Sequence, residues 1–402
     1  SAGSILTVRC SRIARPAARA GLERRSGAGV SGVAVCGLAD CGRKVLRNGL
    51  GADAGALHRR HLPVLELGLG DDRAVDLDDH ALQDLGAQQT GVGLYQVTQK
   101  NGARCSSAVA YLQPAKSRPN LDVVTGALVR RIVLENGRAV GVAYAHGGQE
   151  MLARAEREVL LSGGAINSPQ LLMLSGIGPA DHLTHHGITV AVDAPQVGRN
   201  LQDHLDVCTL QHSTQRVTYD RVGDLAIAWS YYLKNHSGPG SSNIAESGGF
   251  LRSKLAPDER ADIQLHFVPA MLDDHGRNRL KGDGYTLHAC FLRPRSRGQI
   301  TLNSADPRAD ARIQANYLSD EEGFDLKMML ECAKLSRELF AQKAFDAYRG
   351  APIQPPRSDL SDSELIAFIR AKAETVYHPV GTCRMGSDDS AVVDTQLRVR
   401  GV

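Results

Sequence analysis

The sequence predicts a mixed fold: an α/β unit followed by a second, α+β unit carried on a mainly antiparallel sheet. Three patterns carry that prediction. Glu158-Val-Leu-Leu-Ser162 is a short apolar run ending in Gly163 and Gly164, and the helix-like Ser168-Pro-Gln-Leu-Leu-Met-Leu174 follows at once, in the order from which α/β units are assembled. Val129-Arg-Arg-Ile-Val-Leu134 and Ala139-Val-Gly-Val-Ala-Tyr144 flank Asn136-Gly137, a strong short-range hairpin signal. Ala261-Asp-Ile-Gln-Leu-His-Phe-Val268, Thr286-Leu-His-Ala-Cys-Phe-Leu292 and Arg297-Gly-Gln-Ile-Thr-Leu302 alternate as strands. Leu326, Met329, Leu330, Ala333, Leu335 and Leu339 then mark an amphipathic helix between Asp325 and Phe340.

Taken in order, residues 1–85 form an atypical segment that is expected to be poorly ordered. No Phe, Trp or Tyr precedes Tyr95, and Lys44 is the only lysine before Lys100. A domain-sized stretch without aromatics has little to pack around. Gly27-Ala-Gly-Val-Ser-Gly32 is formally GxGxxG, but that pattern has meaning only between a strand and a helix, and Arg24-Arg25-Ser26 precedes it. Arg9, Arg12, Arg15, Arg19, Arg24 and Arg25 cluster without the interleaved aromatics or motif of a nucleic-acid-binding arm.

From residue 86 the chain reads as globular. Leu121-Asp-Val-Val-Thr125 is strand-like, and Gly147-Gly148 supplies a second turn after the Asn136-Gly137 hairpin. In the next helix Ser168 is placed to cap, Pro169 fits the first turn, Leu171, Leu172 and Leu174 give an apolar face, and Gly176 ends it. A helix N-terminus behind a glycine turn favours anionic or polar ligands. An ordinary strand-to-helix connection accounts for these residues equally well.

Composition excludes several classes. The chain has 402 residues, 42% of them hydrophobic, enough for more than one packed unit. No apolar run approaches the ~18 residues that span a bilayer. The 47 basic and 44 acidic residues leave a net charge of +3, which carries no message about nucleic acid. Eight scattered cysteines form no CxxC pair, so a reduced, cytoplasmic setting is expected. Oligomer formation leaves no trace in these patterns.

The whole stretch Gly164-Ala-Ile-Asn-Ser-Pro-Gln-Leu-Leu-Met-Leu-Ser-Gly-Ile-Gly178 is similar to the second signature of the glucose-methanol-choline (GMC) family of FAD-dependent oxidoreductases. Gly91-Val-Gly-Leu-Tyr-Gln-Val-Thr98, Ala110-Tyr-Leu-Gln-Pro-Ala115, Val197-Gly-Arg-Asn-Leu-Gln-Asp-His204 and Tyr377-His-Pro-Val-Gly-Thr-Cys-Arg-Met-Gly386 resemble further landmarks of that family, closest to its choline-dehydrogenase-like alcohol dehydrogenases. The resemblance implies a discontinuous α/β FAD-binding domain from residues 86–204 and 346–402, and an α+β substrate domain from residues 205–345. It implies FAD as cofactor, with Val129, Gly163, Gly164 and Ala165 beside it. It also implies oxidation of a primary alcohol, choline-like, aliphatic or aromatic, to the aldehyde by hydride transfer to the flavin. The electron acceptor is left open. On the same resemblance the chain is expected to lack the opening GxGxxG strand and a second catalytic residue beyond Val402. An inactive fragment is therefore one alternative, and a hydroxynitrile lyase-like activity is another.

The chemistry narrows the residues. Oxidising an alcohol removes a hydroxyl proton and a hydride from one carbon, so the site needs a base near neutral pKa and an electron sink that no side chain supplies. His378 is placed before Pro379, which restricts its backbone, and the resemblance makes it the base or alkoxide-stabilising group. A structural histidine is the ordinary alternative. Glu246, in Asn243-Ile-Ala-Glu-Ser-Gly-Gly-Phe250, could face a cationic substrate, or it could be a solvated glutamate. Asp203 and His204 are expected to act as structural supports. Asp181, His182, His185 and His186 have a metal-like spacing but read as a solvated helix end, and Cys105 and Cys383 read as ordinary buried thiols. No metal site is assigned.

Overall fold

Two large apolar clusters and a small third one, around Cys208, Leu210 and Met271, organise the described residues. The computed structural model describes residues 89–402, together with the backbone of the antiparallel pair Gly68–Leu69 and Arg73–Ala74. The atypical segment 1–85, its GxGxxG match and its arginine cluster otherwise lie outside the described residues.

The elements that matter for the site are, in chain order, β1 (Gly91–Leu94), β2 (Leu128–Glu135), β3 (Arg138–His146), β4 (Gln149–Arg154), α1 (Gly164–Leu174), β5 (Leu205–Ser213), α2 (Asp224–Leu233) and β6 (Ser247–Leu251). They continue with β7 (Ile263–Val268), β8 (Gly284–Phe291), α3 (Phe324–Phe340), β9 (Arg349–Gln354), α4 (Asp362–Lys372) and β10 (Glu374–Thr375).

β2, β3 and β4 form a three-stranded antiparallel meander. The first turn is the expected Asn136-Gly137, both residues at positive φ (52° and 73°), and Gly147-Gly148 (57° and 80°) makes the second. This is the pattern of a mirror-image turn whose twist matches the strands. The meander packs on α1: Ile132, Val142, Tyr144, Leu172 and Met173 are buried together with Val197, Leu201 and Ile300. Val129 is partly buried against the same cluster.

The larger sheet has seven strands in the order β9-β5-β8-β7-β6-β1, with β10 pairing the start of β5, and every ladder is antiparallel. Side chains alternate across it. Leu205, Val207, Leu265, Tyr285, Leu287, Ala289 and Phe291 face α3 and α4, whose Met328, Met329, Cys332, Leu365 and Ile369 complete the core. Full burial of each such side chain stabilises by about 1.5–3 kcal/mol. The opposite face carries Asp206, Cys208, Gln264, His266, His288 and Cys290, polar or titratable residues aligned by register: Cys208 opposite His288, and His288 opposite His266. One face is thus spent on packing and leaves the other for chemistry.

Three local expectations need correction. Leu121–Thr125 forms no strand, and Glu158–Ser162 is reduced to a single bridging residue, Val159. An extended segment becomes a strand only with a partner, and among the described residues neither has one in a ladder. α1 starts at Gly164, not after Ser168, so Pro169 lies inside the helix. Elsewhere the periodicity holds, with α3 spanning the predicted helix and Gly176 (φ +84°) just past the C-terminus of α1. The only parallel ladder among the described residues joins Ile177–Gly178 to Val192–Asp193.

Candidate active site

His378 is brought to the end of β5 by a chain of backbone contacts. Gln202 and Val380 exchange N–H···O bonds of 3.0 and 2.8 Å, and Gly198 N donates to Thr382 O at 2.9 Å. The tight pass between these segments requires glycine. At Gly381 (φ +95°) a Cβ would lie 2.3 Å from the Asn200 carbonyl oxygen.

The same segment is tied to the glycine turn. Pro169 has no N–H, so within α1 it cannot donate to the carbonyl four residues earlier, Ala165. That carbonyl instead accepts from Thr382 Oγ1 at 2.5 Å. The proline that sequence reading placed at the helix start therefore creates the acceptor that docks the His378 loop.

Asp203 fixes the two histidines. Its Oδ1 accepts from the backbone N–H of His204 and of His378, both at 2.9 Å. Its Oδ2 accepts from Tyr317 Oη and Thr375 Oγ1, both at 2.5 Å. Burial, reinforced by this bond to Asp203, pushes the Tyr317 phenol up to about 12. Just before His378, Tyr377 sits at φ +63°, a left-handed conformation that costs a non-glycine residue about 1–3 kcal/mol.

His204, expected only as a support, lies with Nδ1 3.2 Å from His378 Nδ1. Its other nitrogen, Nε2, is 2.9 Å from Leu292 O. A carbonyl can only accept, so His204 Nε2 carries a hydrogen. Burial lowers the His204 pKa, with a further push from His378 against the opposing pull of Leu292 and Asp203. In the neutral ring Nδ1 is then a bare acceptor, and the donor facing it is His378 Nδ1–H. In the neutral tautomer with that hydrogen on Nδ1, Nε2 is the acceptor nitrogen of His378. Sequence spacing gave no sign of this pairing.

Gln202, Asp203, His204, Leu292, Arg293, Pro294, Arg295, Arg297, His378 and Val380 line a cleft of about 290 Å³. Arg293 bonds Asp258 at 3.2 Å and Arg295 pairs with Glu322 while its guanidinium lies 3.8 Å from the Phe324 ring centroid. Two of the three arginines of the lining are thus matched by carboxylates, and Asp203 adds a further negative charge.

The remaining sequence candidates sit apart from this cleft. Gly163, Gly164 and Ala165 form the start of α1, where no side chain caps the helix and a Cβ on Gly164 (φ +76°) would meet nothing within 4 Å. Thr382 links them to the His378 segment. Glu246 is not in the cleft lining and is half-buried, accepting from Tyr219 Oη at 2.6 Å and Ser242 Oγ at 2.5 Å. Burial and the bond to Glu246 raise Tyr219 to about 12. His182 is engaged structurally, its Nε2 accepting from Leu302 N at 3.0 Å. Cys105 is half-exposed, and burial raises the Cys383 thiol to about 12.

Comparison with known proteins agrees with this architecture. Residues 76–206 match the N-terminal and residues 294–402 the C-terminal model of GMC oxidoreductase, and together the two take in more than half of the chain. An alcohol dehydrogenase [acceptor] of Pseudomonas putida is 46% identical over 323 residues, 79% of this chain and 58% of that protein. The mitochondrial choline dehydrogenase of Mus musculus is 46% identical over 325 residues, 79% and 54% of the two chains. The formate oxidase of Aspergillus oryzae superposes with a TM-score of 0.72 at 30% identity, covering 78% of this chain and 59% of that one. The fold and the joined histidine and glycine segments are those of a mainly antiparallel oxidoreductase scaffold. The chain belongs to the GMC oxidoreductase family, a family of FAD-dependent enzymes, and spans a little over half the length of these curated relatives. No helix among the described residues is long and apolar enough to cross a membrane.

Proposed function

We propose that this chain serves FAD-dependent oxidation of a primary alcohol to its aldehyde, with His378 as the base. The observation that carries the reading is the His204–His378 pair, which engages Nδ1 of His378 and leaves its Nε2 for a substrate on a histidine that lines a cleft. His378 Nε2 takes the hydroxyl proton of the alcohol, and Asp203 holds the backbone of both histidines so that their rings keep this order. His204 is a positioning residue.

The residues present fit a flavin nucleotide. The uncapped first turn of α1 and the open side of Gly164 leave backbone N–H groups and space for a polar group. Val129, Gly163, Gly164 and Ala165 are the residues that would hold it. When bound, the flavin supplies the hydride acceptor that no side chain provides. In this reading the β2–β4 meander, α1 and the C-terminal segment from 346 belong to a discontinuous α/β FAD-binding unit, and residues 205–345 to the substrate unit.

Arg293 and Arg295 are paired with Asp258 and Glu322 and Asp203 shares the lining, so the charge of the cleft does not choose between a choline-like and an aliphatic or aromatic alcohol. Glu246, already holding two hydroxyl groups, is the only sequence candidate that speaks for a cation.

The test uses the full 402-residue chain with added FAD under anaerobic conditions. Bleaching of oxidised flavin by a primary alcohol is expected, with the rate falling about 10²–10⁴-fold in His378→Ala. Bound flavin that no primary alcohol bleaches would overturn the reading. Comparing choline with neutral primary alcohols in the same assay separates the two substrate classes.

A further inference from the structure

We propose that the outward face of α2 is a docking surface for a second copy of this chain, met antiparallel across a two-fold axis at Trp229. α2 is seated on its own chain by one side only. Ile227, Ser230 and Tyr231 are half-buried against the turn that follows the helix. A Cβ on Gly240 would lie 2.9 Å from Tyr231 Cβ and 3.2 Å from Ile227 Cγ2, and one on Gly238 would lie 3.0 Å from Ser230 Oγ. No residue of α2 is fully buried.

The opposite side is apolar and open. Leu225, Trp229, Tyr232 and Leu233 are 88%, 61%, 74% and 64% exposed among the described residues. Positions i, i+4, i+7 and i+8 of a helix share one stripe. α2 therefore turns four large apolar or aromatic side chains to solvent, with no charged residue among them. A single exposed leucine is ordinary on a surface, whereas a contiguous set on one helix marks an interaction site.

The order of residues along the helix selects the occupant. Leu225 and Leu233 stand four positions to either side of Trp229, and Asp224 and Lys234 stand five. Such a pattern is self-complementary under a two-fold axis, the arrangement of an isologous homodimer. With two copies antiparallel, Leu225 of one lies beside Leu233 of the other at both ends, small Ala226 comes opposite large Tyr232, and the two tryptophans meet at the centre. The acidic start of each helix comes to the basic end of the other, and the helix dipoles oppose. A lipid surface would call for an excess of Lys and Arg on the helix, but α2 and its C-cap carry one charge of each sign.

The size of the stripe sets the strength. Four side chains exposed to this degree cover roughly 400–500 Å² per copy, or about 800–1,000 Å² in the pair, which is at the low end for a specific interface. The dimer is therefore weak and reversible, anchored by Trp and Tyr, the residue types that dominate small interfaces. Interdigitation of the two i, i+4 rows crosses the helices at about −50° with their axes about 8–10 Å apart. None of these residues lines the cleft, so association is independent of the alcohol chemistry. Local sequence shows only that one side of α2 is apolar; the turn at Gly238 and Gly240 decides that the chain seats itself by the other.

Trp229 is the only tryptophan of the chain, so its emission reads the interface without a label. The full 402-residue chain is diluted from about 200 μM to about 1 μM, a range that brackets a micromolar dissociation constant, and followed by sedimentation velocity and tryptophan emission. The mass should fall from two chains to one, and the emission should move to the red as Trp229 returns to water. Leu225→Lys and Leu233→Glu should each weaken association about tenfold or more. Both positions are exposed, so the urea midpoint at the lowest concentration should stay native. Combined in one chain, the two substitutions bring opposite charges together across the axis and should restore association above either alone. Ile313→Lys, at an exposed apolar residue of another sheet, should leave it unchanged. A mass of one chain at every concentration would overturn the proposal, whether Trp229 is then open to water or already shielded by its own chain. So would emission that answers to phosphatidylcholine vesicles and not to protein concentration, a dimer that neither single substitution weakens, or a double variant weaker than both singles.

Discussion

Asp203 and Asp206 stand three residues apart and have opposite surroundings. Asp203, at the cleft, accepts four hydrogen bonds, two from backbone N–H groups and two from hydroxyls, so both of its oxygens are saturated. Asp206, under the sheet, has one oxygen against His288 and the other without a partner among the described residues. A saturated carboxylate has nothing left to bind, and its work is to hold other groups in place. An unsaturated buried one keeps part of its desolvation cost uncompensated. The difference separates a carboxylate that organises a loop from one held by a single histidine.

Breaking the scaffold should have the largest effect. Asp203→Ala removes the anchor common to His204 N, His378 N, Tyr317 and Thr375 at once. Charge-assisted bonds of this kind contribute about 1.5–3 kcal/mol each and are not additive, so a stability loss of roughly 3–5 kcal/mol is expected from urea denaturation. Alcohol-dependent flavin bleaching should fall at least about as far as in His378→Ala. A variant with native denaturation midpoint and native bleaching would remove Asp203 from the scaffold.

A smaller effect tests the sheet face that both aspartates border. His266 is pushed down to about 4, first by burial, with His288, His378 and His204 adding to the shift against Asp206. A histidine lowered in the folded state stays neutral where the unfolded chain, with its ordinary value near 6.5, already binds a proton. Stability therefore falls as pH drops from about 6.5 toward 4, by at most roughly 3 kcal/mol from this group. His266→Gln should flatten that acid limb when the urea midpoint is compared at pH 7 and pH 4.5. An unchanged slope would show that His266 does not titrate between the two states in this window.

How much of this was legible follows from the range of each interaction. The β2–β3 hairpin, α3 and the end of α1 are written in local periods and turn residues, and the structure has them where the sequence puts them. Leu121–Thr125 failed because a strand is defined by its partner, which local sequence does not name. His378 stood out through its proline context and family resemblance. Its contact with His204 spans 174 positions and arises from the Gln202–Val380 bridge. Asp206 and Cys208 stand at i and i+2 of a strand, hence on one face. Their meeting with His288 depends on the register of β5 on β8, which local sequence does not carry.

The smallest expected effect concerns the joint between α1 and the His378 loop. Thr382 is 1% exposed, and its hydroxyl serves the Ala165 carbonyl that Pro169 cannot reach. Thr382→Val keeps the shape and replaces the hydroxyl by a methyl, taking the Thr382 donor from a part-buried carbonyl. The expected loss is about 1–3 kcal/mol, read as a lowered urea midpoint. Thr382→Ser keeps the hydroxyl and gives up one methyl, so it should recover most of that loss. Because Asp203 still anchors both histidine backbones, bleaching by alcohol should be affected far less than in Asp203→Ala. If Thr382→Val instead matched Asp203→Ala in activity, the placement of His378 would depend on the α1 joint as much as on the carboxylate, and the division of labour between them would have to be redrawn.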